Sequence, residues 1–267
     1  MNRYQSLAML FGAALLASCG DTGLQDITGP LPSARVKFHN FSPSSVGVNF
    51  FANDTKVTAI ASSACANPTT AADSTACTTT GEESTIGTKY GQVASGGLYD
   101  AIDPGQYTLA AKIAAGSDVV STVSETIAEG KYYSFFMSGP YDATAQTAEA
   151  FVVEDPIPAG IDYTVGYVRL VNAVSNATGP LALYATNAET KEESAIDSPV
   201  AYAAAATFVT LPPGTYTLAV RYSGLSSNVI SRTSAVSVIG GHVYTVTAYG
   251  STATSSTLGL DFTENQR

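Results

Sequence analysis

Apolar and polar residues alternate along two nearly identical stretches of the chain. In Leu211–Tyr222, LPPGTYTLAVRY, the residues Tyr216, Leu218, Val220 and Tyr222 fall on one face, with Thr215, Thr217, Ala219 and Arg221 on the other. In Ile102–Ile113, IDPGQYTLAAKI, Tyr107, Leu109, Ala111 and Ile113 alternate with Gln106, Thr108, Ala110 and Lys112. A period of two marks a half-buried strand. The Pro-Gly pair before each run is turn chemistry, because Pro fixes φ and Gly accepts the positive φ of a type II turn. Tyr107 and Tyr216 are expected to pack in the core with their hydroxyls at its rim.

The repetition continues along the chain. ARVKFHN at Ala34–Asn40 matches GYVRLVN at Gly166–Asn172, and VNFF at Val48–Phe51 matches LALY at Leu181–Tyr184. EESTI at Glu82–Ile86 matches EESAI at Glu192–Ile196, and GKYYSFFMSG at Gly130–Gly139 matches GHVYTVTAYG at Gly241–Gly250. Matches in one order predict two homologous domains, 33–154 and 163–267, joined by the Pro-containing linker 155–162. Each copy holds about seven short strand-like runs separated by Gly, Pro, Asn, Asp or Ser, and no run of helical period. Val93–Tyr99 and Tyr202–Phe208 are read as strand or extended, because Gly96 and Gly97 exclude a helix in the first. The fold class expected is all-β: two tandem antiparallel β-sandwich domains of immunoglobulin-like or prealbumin-like type.

Composition supports this reading. Charged residues make up 13% of the 267 and hydrophobic ones 45%, which allows real cores and argues against a disordered acidic chain. The net charge of −10 and the scattered basic residues exclude nucleic acid as an expected partner.

The N-terminus reads as an export address. Arg3 precedes the uncharged apolar run Leu7–Ala17, which is too short for the roughly 20 residues of a membrane span. The run ends in Leu16-Ala17-Ser18-Cys19, which resembles the lipobox of bacterial lipoproteins. That resemblance implies that 1–18 is a signal peptide, that Cys19 is lipidated, and that the chain is anchored in the cell envelope. Gly20 after the cysteine implies the outer membrane, facing the periplasm or the surface. Two or three acyl chains make a durable anchor, at about 0.8 kcal/mol per buried CH₂. Residues 19–32 are read as a flexible tether.

The repeated strands also resemble the bacterial domain of unknown function DUF4397. The elements that carry the resemblance are the opening strands Ala34–Asn40 and Gly166–Asn172, the PG-x-Y-x-L strands at Asp103–Leu109 and Pro213–Leu218, and the G-x-x-Y strands from Gly130 and Gly241. It implies an exported protein, often with tandem copies, and no catalytic residues. Asn40 and Asn172 stand where that family often has Ala.

Candidate chemistry is sparse. The first copy carries an insertion of about twenty residues before its Glu-Glu pair, holding Cys65 and Cys77. In an oxidising compartment these two are expected to form a disulfide, worth ~3 kcal/mol in the chain-entropy model. His39 and His242 lie in strands without ligand spacing and are expected to be solvated. Glu82-Glu83 and Glu192-Glu193 are expected to be solvated charges at strand entries, since adjacent strand residues point to opposite faces; a Ca²⁺ role needs more oxygens. No metal, cofactor or catalytic residue is expected. Tyr132, Phe136 and Tyr249 face away from their strands' other aromatics, which predicts a central strand, a contact between domains, or a binding platform. The reading is a non-enzymatic, surface-anchored lipoprotein acting as an interaction or structural module. The alternative is a glycan- or peptide-binding protein of an uptake or adhesion system, with an envelope protein or glycan as partner.

Overall fold

The computed structural model describes residues 33–58 and 85–266, all within one unit spanning Pro32–Arg267. Cys19, Cys65, Cys77, Glu82 and Glu83 lie outside the described residues.

The first copy runs β1 (Ala34–Asn40), β2 (Val48–Ala52), β3 (Thr55–Lys56), β4 (Gln92–Val93), β5 (Asp100–Ile102), β6 (Gly105–Ile113), β7 (Val119–Ile127), β8 (Tyr132–Asp142) and β9 (Thr147–Glu154). The second runs β10 (Gly166–Ala173), β11 (Leu181–Asn187), β12 (Glu193–Ala195), β13 (Ala204–Ala205), β14 (Val209–Leu211), β15 (Gly214–Tyr222), β16 (Ile230–Ser231), β17 (Val236–Val238), β18 (Val243–Ser251) and β19 (Thr254–Gln266). Sheet order repeats between them. One sheet is β4-β1-β8-β9 in the first copy and β13-β10-β18-β19 in the second, with β5 and β14 added at equivalent places. The other is β3-β2-β6-β7 and β12-β11-β15-β16, with β17 added to β15.

In each copy the two sheets close on an apolar core of their own. Val36, Phe38, Phe50, Leu109 and Phe135 meet in the first copy. Val168, Leu170, Leu183, Leu218 and Val246 meet in the second. Tyr107 and Tyr216 follow the alternation: their hydroxyls donate to the carbonyls of Asp103 at 3.0 Å and Pro212 at 2.8 Å, four residues back.

The sandwich class is as expected, but one pair in each copy is parallel. β1 runs parallel to β8 and β10 parallel to β18; the other pairs are antiparallel. A parallel pair needs a long crossover, and here the crossover is the opposite sheet of the sandwich. Residues Ala94–Gly97, expected to be extended, instead form a short 3₁₀ turn in which Ser95 and Gly96 take left-handed φ of 53° and 65°.

The register also corrects the Glu-Glu match. Phe51 pairs Lys56 in the first copy, and Tyr184 pairs Ala195 in the second. The next residues agree as well: Val57 N–H donates to Phe50 O, and Ile196 N–H to Leu183 O. EESAI is therefore the spatial counterpart of the residues running up to Val57. The insertion of the first copy follows Thr58, the counterpart of Asp197.

Candidate functional site

The outward faces of the two β1-type sheets are turned toward each other, and the seam between them is where polar and charged side chains are buried. Alternation places Lys37 and His39 on the face of β1 opposite Val36 and Phe38. It places Arg169 and Val171 on the matching face of β10. Solvent is the default expectation for such a face; here the other copy covers it. Lys37, His39, Arg169 and Asp155 are each at most 1% exposed.

Lys37 and Arg169 occupy the same register position, one residue after the Val36–Tyr133 and Val168–Tyr244 pairs. Each reaches out of its own copy into the last strand of the other. Lys37 Nζ donates to Glu264 O at 3.0 Å and Asn265 Oδ1 at 3.1 Å. Arg169 Nη1 donates to Glu154 O at 3.0 Å, and Nη2 is bonded to the Asp155 carboxylate. Glu154 pairs Tyr133 just as Glu264 pairs Tyr244, so the acceptors are equivalent too. Each cation also lies over an aromatic ring of its own copy, Lys37 over Tyr99 at 4.3 Å and Arg169 over Phe208 at 4.6 Å. This reciprocity is the hallmark of an isologous interface, in which the same patch is used from both sides.

Asp155, expected to open a linker, is a fully committed acceptor. Besides Arg169 it takes the Tyr99 hydroxyl at 2.6 Å and the Ser134 hydroxyl at 2.7 Å. Burial, followed by the Asp155 charge, pushes the Tyr99 hydroxyl's pKa upward. At the opposite clamp the amide of Asn265 stands in Asp155's place and donates to Thr245 Oγ1 at 2.7 Å. Burial lowers the Lys37 ammonium to about 8, against the raising influence of Asp155, Asp261 and Glu264.

Apolar contacts complete the seam. Phe41, Phe136 and Phe151 of the first copy pack with Val171 and Ala173 of the second. Phe41 stacks on Tyr249 at 4.4 Å. Phe136 and Tyr249 are thus a contact between domains, and Tyr132 packs edge-on against Tyr99 at 5.1 Å. A loop tyrosine from each copy crosses as well: the Tyr202 hydroxyl bonds Ser138 at 2.8 Å and also Glu149, and the Tyr90 hydroxyl bonds Thr257 O.

Beside the seam lies a groove of about 460 Å³ lined by Gly97 and Leu98 of the first copy and by Asp261, Thr263 and Glu264 of β19. Leu98 is 70% exposed at its rim. Ser95-Gly96-Gly97 has no counterpart in the second copy. In register terms, Val93 to Asp100 in the first copy corresponds to the shorter run Ala205 to Val209 in the second. The Ser95 hydroxyl holds the turn through Asp100, at 3.0 and 3.1 Å to its two oxygens.

The remaining sequence candidates are placed as follows. His39, expected to be solvated, is buried in the seam because the second copy covers its face. His242 is partly exposed and its Nδ1 lies 2.7 Å from the Glu264 carboxylate, a partner distant in sequence. Glu193 is held by the Arg221 guanidinium in two 2.7 Å bonds and is pushed below the usual carboxylate range chiefly by them. Glu192 is exposed on the turn before β12. Among the described residues no group of three or more His, Cys, Asp or Glu side chains is arranged to hold a metal. Asn40 and Asn172 are buried and do the same work: their amides donate to Thr88 O at 2.8 Å and Val200 O at 3.0 Å. They tie the end of each opening strand to the crossing segment, which sequence reading did not anticipate.

Residues 166–267 match the family model for the domain of unknown function DUF4397. The matched residues are those of the second copy. The first copy repeats the strand order of the matched copy. No curated protein matches the chain. Among solved structures, the crystal structure of CBMbc (family CBM26) from Eubacterium rectale Amy13K in complex with maltoheptaose is similar at 12% identity, covering 88% of this chain and 96% of that one, with a TM-score of 0.22. At that score the likeness carries nothing about this chain's own ligand.

Proposed function

We propose that the chain is a non-enzymatic, lipid-anchored module of the cell envelope, in which two sandwiches act as one rigid body at the end of a tether. The observation that carries the rigid-body reading is the seam. Lys37 donates to Glu264 and Asn265, and Arg169 to Glu154 and Asp155, all across the seam, so separating the copies would take these acceptors from both buried cations. Rigidity suits a spacer or a presenting surface. The anchor rests on Leu16-Ala17-Ser18-Cys19 at the end of the apolar run, and the outer membrane is the destination its Gly20 favours.

Fractionation of cells expressing the wild type and Cys19→Ala tests the anchor. The wild type is expected in the membrane fraction and the variant in the soluble one; a variant still bound to membrane contradicts lipidation at Cys19. Intact mass with and without reductant tests the Cys65–Cys77 bridge, with a gain of two hydrogens on reduction expected.

A second reading, a binding module for a glycan or an extended peptide, is favoured by the groove beside Leu98, which exists only because the first copy's loop is longer. A pulldown from native envelope combined with a glycan array separates the two readings. Enrichment lost on deleting Ser95–Gly97 supports binding at the groove, and absence of enrichment supports the spacer.

A further inference from the structure

His39 is a buried imidazole in the seam, on the same face of β1 as Lys37. Its ring is stacked on Phe136 at 4.3 Å and lies 5.3 Å from Phe41. It is 1% exposed, and neither ring nitrogen has a hydrogen-bond partner among the described residues. The Thr247 hydroxyl of the second copy is likewise buried and without a partner among them. The second copy has Val171 at the position of His39, so an apolar side chain fits that layer of the fold.

The groups around His39 offer a neutral ring nothing to lose and a charged ring nothing to gain. On its own strand stands the Lys37 ammonium, and across the seam on β10 the Arg169 guanidinium. β8 and β18 contribute Ser134, Ser138, Thr245 and Thr247, none charged, and β4 contributes Gln92. The carboxylates of β9 and β19 are engaged elsewhere: Glu149 with Tyr202, Glu154 with Lys131, Asp155 with Arg169, Asp261 with Thr263 and Glu264 with His242. None of them is bonded to His39. A buried imidazolium would therefore lack both a counter-ion and hydrogen bonds, and that is costly.

We propose that the seam is an acid-sensitive latch: protonation of His39 separates the two sandwiches while each keeps its own fold. The inference does not depend on the lipid anchor. Burial first, then Lys37 and Arg169, hold the His39 imidazolium's pKa well below the usual histidine range. The separated state, in which the ring meets water, then binds the proton more readily. Docking is at full strength above the free histidine value of about 6.5 and weakens as pH falls below it, by up to about tenfold per pH unit. Lys37, lowered to about 8, is charged throughout that range and contributes no slope there. Asp261 is raised, by burial first, and so favours docking as pH falls, in opposition to His39.

The chain beginning at Gly20 is studied by small-angle X-ray scattering from pH 7.5 to pH 4, with far-UV circular dichroism on the same samples. The wild type is expected to expand below about pH 6 with its strand signal unchanged, and His39→Val and His39→Phe to stay compact. His242→Gln, which removes the other histidine, is expected to follow the wild type. A wild type that stays compact to pH 4 overturns the latch, as does expansion accompanied by loss of strand signal. Histidine variants that expand with the wild type, or a His242→Gln chain that does not expand, overturn its assignment to His39. Should both His39 variants fail to fold, ring-proton NMR of the wild type decides. His39 is expected to titrate together with the expansion, and titration near pH 6.5 in the compact chain overturns the proposal.

Discussion

Lys37 and Arg169 stand at one register position in two copies of one fold, but the side chains they meet in the opposite copy differ in charge. Arg169 meets a carboxylate, Asp155, whereas Lys37 meets an amide, Asn265. Arg169 spreads a planar fork over Thr245 Oγ1, Glu154 O and Asp155, whereas Lys37 is a point charge bonded to Glu264 O and Asn265 Oδ1. One clamp is a closed ion pair. The other is a buried cation held by neutral oxygens, and burial lowers its pKa accordingly. The same fold position thus supports docking in two ways, and the two should respond differently to the same insult.

The largest effect is expected at the closed pair. Asp155→Ala leaves a fully buried guanidinium without its counter-ion and should cost about 3–5 kcal/mol in urea denaturation. The matching change on the other side, Asn265→Ala, removes one acceptor from Lys37 and leaves Glu264 O in place; about 1.5–3 kcal/mol is expected. Equal losses would erase the distinction between the clamps. Asn40→Ala and Asn172→Ala each remove the side-chain acceptor of a buried N–H, Ser42 N or Val174 N, and should cost similar amounts of about 1–3 kcal/mol. A large inequality would mean that the two opening strands are not held alike.

A smaller effect separates the copies at Asp197, where the first copy has Thr58. Both accept a strand N–H. Asp197 takes Leu170 N at 2.9 Å and Leu183 N at 3.4 Å, and the Thr58 hydroxyl takes Phe50 N at 3.0 Å. Burial, only partly offset by these bonds, raises the Asp197 carboxyl to about 6. A raised carboxyl gives stability that is complete below the free value near 4 and is lost as pH rises through 6. Asp197→Asn keeps an acceptor without the charge, so it should flatten this dependence and gain about 1 kcal/mol above pH 7. A chain whose stability between pH 4 and 7 is unchanged by the substitution contradicts that sign. Smallest of all, deleting Ser95–Gly97 gives the first copy the shorter loop of the second. It should alter stability by no more than about 0.5 kcal/mol while removing the groove's rim.

The repeat was legible because its carriers are turn and alternation signals: Pro-Gly before Tyr107 and Tyr216, and Val-x-Phe against Val-x-Leu in the opening strands. Those features fix strand identity and core face locally. What was not legible depends on partners far apart in sequence. Alternation identified the polar face of β1 but could not say that another sheet covers it, so His39 read as solvated. Asp155 sits in a Pro-rich stretch and looked like linker. The aromatic residues on both faces of β8, Phe135 and Phe136, were the one local hint that the outer face is covered. The letters EES misled for the opposite reason, since the pairing of Phe51 with Lys56 and of Tyr184 with Ala195 makes the residues up to Val57, and not the first Glu-Glu run, the counterpart of EESAI.

The account's central claim is that reciprocal clamps make two sandwiches one body. Backbone ¹⁵N relaxation on the chain beginning at Gly20, at pH 7.5, tests it most directly. One rotational diffusion tensor describing strands β1–β9 and β10–β19 together is the result expected. Two faster, separate tensors, as for beads on a string, would contradict it.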